Sequence, residues 1–396
     1  MAKRRDFLKK TAMGAAGAAL GSKVYGSDTY VAAQQQKDWH TDPEWRRIKY
    51  GEWGGPGVSA GAGPMDTILI KDYAPRSSVV TKETFVPKPR YPVIDCHVHV
   101  EARTPDQIAD WVKTMDEVGM ETSIVLTGAT GSAFDDLIEK LIKPYPGRFL
   151  LYCGIITSDF DKPDYPERVV AELERCHKMG ARGVGEISDK GWGIARGTNL
   201  PRDRRLHPDD PRLDACWKKC GELKMPVNIH MADHPSCWTP PDNFQERTPD
   251  YQHFNMYGKD VPSYDELIAI RNRTLEKHPE TIFIACHFGN QGNDLGKLSL
   301  AMDKYPNLYL DTSARDYEMG RMPRAFTGFL SKYRRRVVFG TDQGREKSMY
   351  QIHWRLFESA DEYFTGRVWW HYYGLELPDK VLKSIYRDTA RKIFII

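Results

Sequence analysis

From residue 91 onward the chain alternates short apolar segments with amphipathic ones, and this alternation restricts its fold more than any other feature. YPVIDCHVHV precedes TPDQIADWVKTMDEVG, TSIVLT precedes SAFDDLIEKLIKPY, and RFLLYCGI precedes YPERVVAELERCHKMG. The pattern continues through ARGVGEI, PVNIHM, TIFIACHF and NLYLDTS, each followed by a helix-like run, to an eighth strand, RRVVFGTD. Strands joined through helices pair in parallel, because the crossover returns the chain to the same end of the sheet. Eight such units over about 250 residues predict a closed (β/α)8 TIM barrel, an α/β fold. Two connections are long, residues 188–208 after the fourth strand and 232–262 after the fifth. Both leave the C-terminal ends of strands, where barrels carry their active-site loops. Trp192, Trp238, Phe244, Tyr251, Phe254 and Tyr257 lie on them and are candidates either to wall a pocket or to pack the loops.

Two segments precede the barrel, which takes residues 91–396. Residues 1–33 place Arg4 and Arg5 before Phe7-Leu8-Lys9 and a short Ala/Gly-rich stretch, the pattern of a twin-arginine signal peptide. Residues 34–90 hold GEWGGPGVSAGAGP and a mixed segment, and predict an irregular arm on the barrel surface. The signal implies the twin-arginine translocase as a partner during export, with a periplasmic or extracellular destination. Replacing Arg4 and Arg5 by lysines is therefore expected to leave folded protein in the cytoplasm; normal export of that variant, measured by cell fractionation, removes the signal reading. The signal carries six Lys/Arg against two Asp/Glu, so the formal charge of +3 becomes −1 without it. What remains has no basic footprint for nucleic acid, since its cations are interspersed with acids. No apolar run approaches the roughly 20 residues of a membrane-spanning helix. The partner that remains is a small-molecule substrate, with a homo-oligomer left open. Seven cysteines without regular spacing predict buried free thiols.

The candidate chemistry sits at strand ends. His97 and His99 in IDCHVHV are one residue apart, so on a strand both imidazoles face one side. His230 ends strand five, His287 ends strand six, and Asp342 ends strand eight. Imidazoles with a carboxylate suit Zn²⁺ or a related divalent ion. One ion is expected, zinc leading by ligand type, with a second open because Glu186 stands at the end of strand four. Glu186 is open to three uses: a second ion, the substrate or an ion pair. Asp95, two residues before His97, is expected to orient it. Arg103, Lys190, Arg315 and Arg345 follow strand ends, and Arg345, nearest Asp342, is the first candidate for clamping a substrate carboxylate, ahead of Arg315 and Trp192. His234, His253 and His371 read as surface or lid histidines.

With HxH on strand one, PVNIH, ACHFGN, FGTD and a closing IYRDTARKIF helix, residues 91–396 resemble the amidohydrolase superfamily. The resemblance is to its branch of aminocarboxymuconate-semialdehyde decarboxylase-like, hydrolase and lactonase families. It implies that His97, His99, His230 and Asp342 bind the metal and that His287 and Asp342 act in catalysis. The lysine of the two-metal members is replaced here by Glu186. The implied activity is a metal-dependent hydrolase, metal-activated water attacking an amide, lactone or ester. The alternative is a non-oxidative decarboxylase of an unsaturated or aromatic acid. A second alternative, a non-catalytic metal-binding barrel, has no use for His287. A dinucleotide enzyme, suggested by LTGATGS at 126–132, fails on context: the motif follows the second strand and Phe134 stands where its third glycine belongs.

Overall fold

The computed structural model describes residues 67–394 except 75, 196–199, 243–244 and 369, so the twin-arginine segment and Phe244 lie outside the described residues. The chain divides into two units, Met1–Ser77 and Ser78–Ile396. In the first, the described residues form a single 3-10 turn, Ile70–Asp72. The second begins with an extended stretch, residues 78–90, that has no helix or strand. Side chains pin it: Thr84 donates to Asp361 from its amide and hydroxyl at 2.6 and 2.7 Å, and Arg90 donates to Asp379 at 2.7 Å.

Eight parallel strands follow in sequential order: β1 (Val93–Val98), β2 (Met120–Leu126), β3 (Phe149–Cys153), β4 (Gly183–Asp189), β5 (Val227–Met231), β6 (Phe283–Cys286), β7 (Leu308–Asp311) and β8 (Val337–Val338). Two backbone bonds bring the ends of this sheet together, Cys96 N to Phe339 O and Asp342 N to His97 O, each 2.8 Å. The barrel expected from the alternation is therefore present. Strand eight is far shorter than RRVVFGTD suggests, because Arg334–Arg336 form a 3-10 turn and the chain bends after Phe339. Gly340 permits the close approach of this segment to β1: a Cβ there would stand 2.9 Å from His97 Cβ.

Helices α1 (Pro105–Val118), α2 (Gly131–Leu137), α3 (Tyr165–Met179), α4 (Asp214–Glu222), α5 (Thr248–Phe254), α6 (Tyr264–Lys277), α7 (Leu295–Lys304), α8 (Asp316–Arg321), α9 (Pro323–Tyr333) and α10 (Lys347–Glu358) fill the connections. In α1, Thr104 and Gln107 form a capping box, Pro105 sits in the first turn and Gly119 ends the helix left-handed. Its buried Ile108, Trp111, Met115 and Val118 make one apolar face toward the strands. A two-stranded hairpin, β9 (Phe364–Thr365) and β10 (His371–Tyr372), adds an element the sequence pattern did not predict. His371, half-buried in it, stacks on Tyr363 with ring centroids 3.9 Å apart. The chain closes with α11 (Asp379–Lys383) and α12 (Thr389–Phe394).

Strand residues of alternate parity serve two cores. Val93, Val125, Leu151, Val227 and Phe283 join the helix side chains in the outer layer. Ile94, Cys96, Ile124, Tyr152, Ile284 and Val338 form an inner cluster with Ala390, Ile393 and Phe394 of α12. Interior positions near the strand N-termini are thus spent on packing, which leaves the other end of the barrel for polar groups. All seven cysteines are buried and free. Among the described residues no helix is long and apolar enough to cross a membrane.

Candidate metal centre and its cavity

His97, His99, His230, His287 and Asp342, from five different points of the sequence, converge where their strands give way to loops. The loop backbone is strained there: Ala232, Phe288, Asn290, Ala314 and Asp342 all take positive φ, between 48° and 68°. Among the described residues one group joins His97, His99 and Asp342, a second joins Glu186, His230, Cys286 and His287, and a third joins His97, His287 and Asp311. Within each, ligand atoms lie within 4.8 Å of one another. The groups adjoin, since the His287 ring is 5.0 Å from that of His97 and 4.7 Å from that of His230.

These residues fit a divalent cation. His97 Nε2 is buried without a hydrogen-bond partner, its nearest acceptor being Asp342 Oδ1 at 3.4 Å. The same carboxylate oxygen lies 3.0 Å from His99 Nε2. Burial pushes Asp342 up, but the adjoining His97 and His99 imidazoles overcome it and hold the group below the usual carboxylate range. Burial likewise opposes the charge on His97, and the neighbouring Asp311 and Asp342 overcome it and raise its pKa. Protons are thus retained where a cation's charge would otherwise sit. His230 follows the same rule: burial lowers it, Glu186 and Asp233 raise it, and Glu186 is held low in turn. His287 differs. Burial and the adjoining His230 push its pKa well below the ordinary imidazole value, so it is neutral at pH 7.

Carboxylates orient two of these rings. His97 Nδ1 bonds Asp311 Oδ2 at 2.8 Å, which leaves Nε2 for an ion, the arrangement found behind many metal-bound histidines. Glu186 holds His230 Nδ1, while His230 Nε2 meets Asp233 at 3.2 Å. Of the three uses left open for Glu186, this contact corresponds to the ion pair. Asp311 was not among the sequence candidates, although it ends strand seven as His230 and His287 end theirs. Asp95 does not contact the His97 ring. The β1–β2 register shifts between Asp95 and Val98, and Asp95 instead accepts from His97 N, Thr341 and Tyr350.

The centre opens into a cavity of about 440 Å³ whose lining includes His99, Glu186, His230, His287 and Asp342. Its walls carry Lys190, Arg247, Arg315 and Arg367. Three of these have carboxylate partners: Lys190 pairs with Asp233 at 2.9 Å, Arg247 with Glu318 at 2.6 Å and Arg367 with Asp316 at 2.8 Å. Arg315, buried, bonds neutral oxygens: Ala314 O at 2.7 Å, Tyr317 Oη at 2.8 Å and Asn290 Oδ1. Asn290 presents that oxygen because its Nδ2 is taken by Met231 O and Ala232 O. Arg345 does not line the cavity; its guanidinium donates to Glu101 O at 2.9 Å. Trp192 is also outside the lining, 40% exposed with Arg205 stacked 4.7 Å over it, whereas Phe254 does line it. Arg103 is exposed. His234 is not at the outer surface: it lines the cavity, and burial followed by Arg247 and Arg315 brings its pKa down to about 2. His253 is exposed.

A family model described as amidohydrolase matches residues 94–396, more than half of the chain. The chain belongs to the amidohydrolase family. No curated protein matches it by sequence. Similar solved structures include 2,6-dihydroxybenzoate decarboxylase from Rhizobium, 16% identical, with a TM-score of 0.48 and covering 78% of this chain and 99% of that one. Another is a dihydroxybenzoic acid decarboxylase from Polaromonas sp. JS666 with bound manganese and 2-nitroresorcinol, 18% identical, TM-score 0.49, covering 78% and 97%. A third is a putative amidohydrolase from Staphylococcus aureus, 14% identical, TM-score 0.49, covering 78% and 100%.

Proposed function

We propose that this amidohydrolase-family protein is a metal-dependent lyase that removes carbon dioxide from a small unsaturated or aromatic acid. Arg315 carries the reading. An amide, lactone or ester is neutral at its scissile carbonyl and needs no buried cation there. A carboxylate that is itself the leaving group brings a full charge into the cavity, and burying it unpaired costs several kcal/mol. Arg315, whose bonds go to neutral oxygens, is the wall cation whose charge is left for that partner.

His97, His99, His230 and Asp342 would hold the ion, whose charge draws electron density from a substrate oxygen. Loss of carbon dioxide leaves the bonding electron pair on carbon, and one proton must replace the carboxylate there. Neutral His287, its Nδ1 bonded to Ser313 Oγ at 2.8 Å, has its Nε2 lone pair free to take a proton from water in the cavity and hand it to that carbon, which returns the ring to its neutral form. Hydrolysis is the second reading. Asp342 favours it, as an ionised carboxylate at the cavity wall suited to taking a proton from water.

Metal-loaded protein given a panel of aromatic and unsaturated acids, amides and lactones is expected to release one carbon dioxide per substrate consumed. Acid release without carbon dioxide establishes hydrolysis instead. With an active acid in hand, Arg315→Gln is expected to raise KM about 10- to 100-fold, the loss of a charged hydrogen bond. Arg315→Lys, which keeps the charge but not the fork, should fall between. An unchanged KM in Arg315→Gln removes Arg315 from substrate binding.

A further inference from the structure

We propose that Asp311 positions both kinds of histidine at once, His97 directly and His287 through the Ser313 hydroxyl. The argument is one of proton counting. Asp311 is fully buried with four donors around its carboxylate. Oδ1 receives Ser313 N at 3.3 Å and Ser313 Oγ at 2.6 Å. Oδ2 receives Asn228 Nδ2 at 3.2 Å and His97 Nδ1 at 2.8 Å. With two partners on each oxygen the carboxylate is surrounded as an acceptor, so His97 meets it with its proton on Nδ1.

The serine hydroxyl has one proton, and Asp311 takes it. Ser313 Oγ is then an acceptor toward everything else it meets. His287 Nδ1 lies 2.8 Å from that oxygen and 3.2 Å from the Ser313 carbonyl, which also can only accept. His287 therefore carries its proton on Nδ1 as well. His97 Nδ1 reaches the same hydroxyl oxygen at 3.1 Å, a shared donation that fits the same assignment. Once an ion has displaced the second proton from His97, Nε2 is in both rings the nitrogen with a lone pair to offer. For His97 that is the atom beside Asp342. For His287 it is the atom on the Glu186 side, 3.9 Å from Oε1.

Asp311 is a positioning residue and not a ligand of the same ion as His97 Nε2. Its carboxylate meets the opposite nitrogen of that ring, and it does not line the cavity. The catalytic use of His287 rests on the proposed function; the two tautomers do not.

The test uses full-length, zinc-loaded protein with ¹⁵N-labelled histidine, reading imidazole shifts, zinc affinity by chelator competition, and kcat and KM. In wild type, His97 and His287 should both be protonated at Nδ1. Ser313→Ala removes the hydroxyl that links His287 to Asp311 and keeps the direct His97 Nδ1 bond to Asp311 Oδ2. It should leave His287 Nδ1 with only the longer Ser313 carbonyl contact, move its ¹⁵N shifts toward those of a tautomer mixture and lower kcat about 10-fold, with KM, zinc affinity and the His97 tautomer unchanged. Asp311→Asn should lower zinc affinity about 10- to 100-fold, and Asp311→Glu should restore part of it. If Asp311→Asn does not fold, the wild-type shifts and Ser313→Ala decide. His287 protonated at Nε2 in wild type, or His287 ¹⁵N shifts in Ser313→Ala identical to those of wild type, overturns the proposal. Correct tautomers in a protein that releases no carbon dioxide would leave the positioning intact and sink the proposed reaction instead.

Discussion

His287→Asn is expected to keep its ion and its fold and to lose roughly 10²- to 10⁴-fold in kcat, the usual range for a general acid or base. The ring is buried between those of His97 and His230, and its Nδ1 is committed to Ser313. Asparagine can still donate to the Ser313 oxygens, so the pocket keeps its shape. What it lacks is a ring nitrogen with a basic lone pair to accept and pass on a proton. Burial and neighbouring His230 keep His287 neutral at pH 7, so the wild-type ring enters the reaction as an acceptor. Elemental analysis should find one divalent ion per chain in both proteins. If His287→Asn empties the site, His287 is a ligand and belongs with Glu186, His230 and Cys286 as an ion-binding group. If turnover is unchanged, it has no part in the chemistry.

Much of this site was legible because barrel strands place chemistry at a predictable point. A histidine or aspartate where an apolar run ends needs no tertiary information to be suspected, and His97, His99, His230, His287 and Asp342 all announce themselves that way. Asp311 sends the same signal at the end of NLYLD, yet a lone aspartate before a serine also reads as an ordinary cap, and only the 2.8 Å contact with His97 distinguishes the two. Asp95 shows the opposite error. Period-two alternation puts it on the His97 side, and a register shift in β1 turns it toward Tyr350. The wall cations were harder. Arg345 is nearest to Asp342 in sequence, but its guanidinium is held by Glu101 O, while Arg315 reaches the cavity because Asn290 and Tyr317 bind it there. Arg247 and His234 come from the long loop after β5, where no periodicity fixes a side chain's direction. Arg367 is carried by the connection between β9 and β10, a hairpin that the sequence pattern did not predict.

His97→Asn separates the ion's contribution from the scaffold's. The variant should lose metal content, activity and thermal stability together, because an ion bound only to the folded state stabilises it by about 2.7 kcal/mol at 100 times its Kd. A second cost comes with it. His97 donates to Asp311 inside the barrel, and a buried carboxylate that loses a donor costs about 1–3 kcal/mol. Asparagine keeps a donor on this side, which is why it is preferred here to alanine. The control is wild-type protein stripped by a chelator. Its Tm reports the ion alone, so the variant should melt at or slightly below the stripped wild type and should not respond to added zinc. Acidification should weaken zinc binding by the wild type, since His97 and His230 are held high in pKa by the surrounding carboxylates and their protons compete with the ion. A His97→Asn variant that still binds one ion with wild-type affinity would mean that the centre is built on the Glu186–His230–Cys286–His287 group, and the ligand set argued from strand one would be wrong.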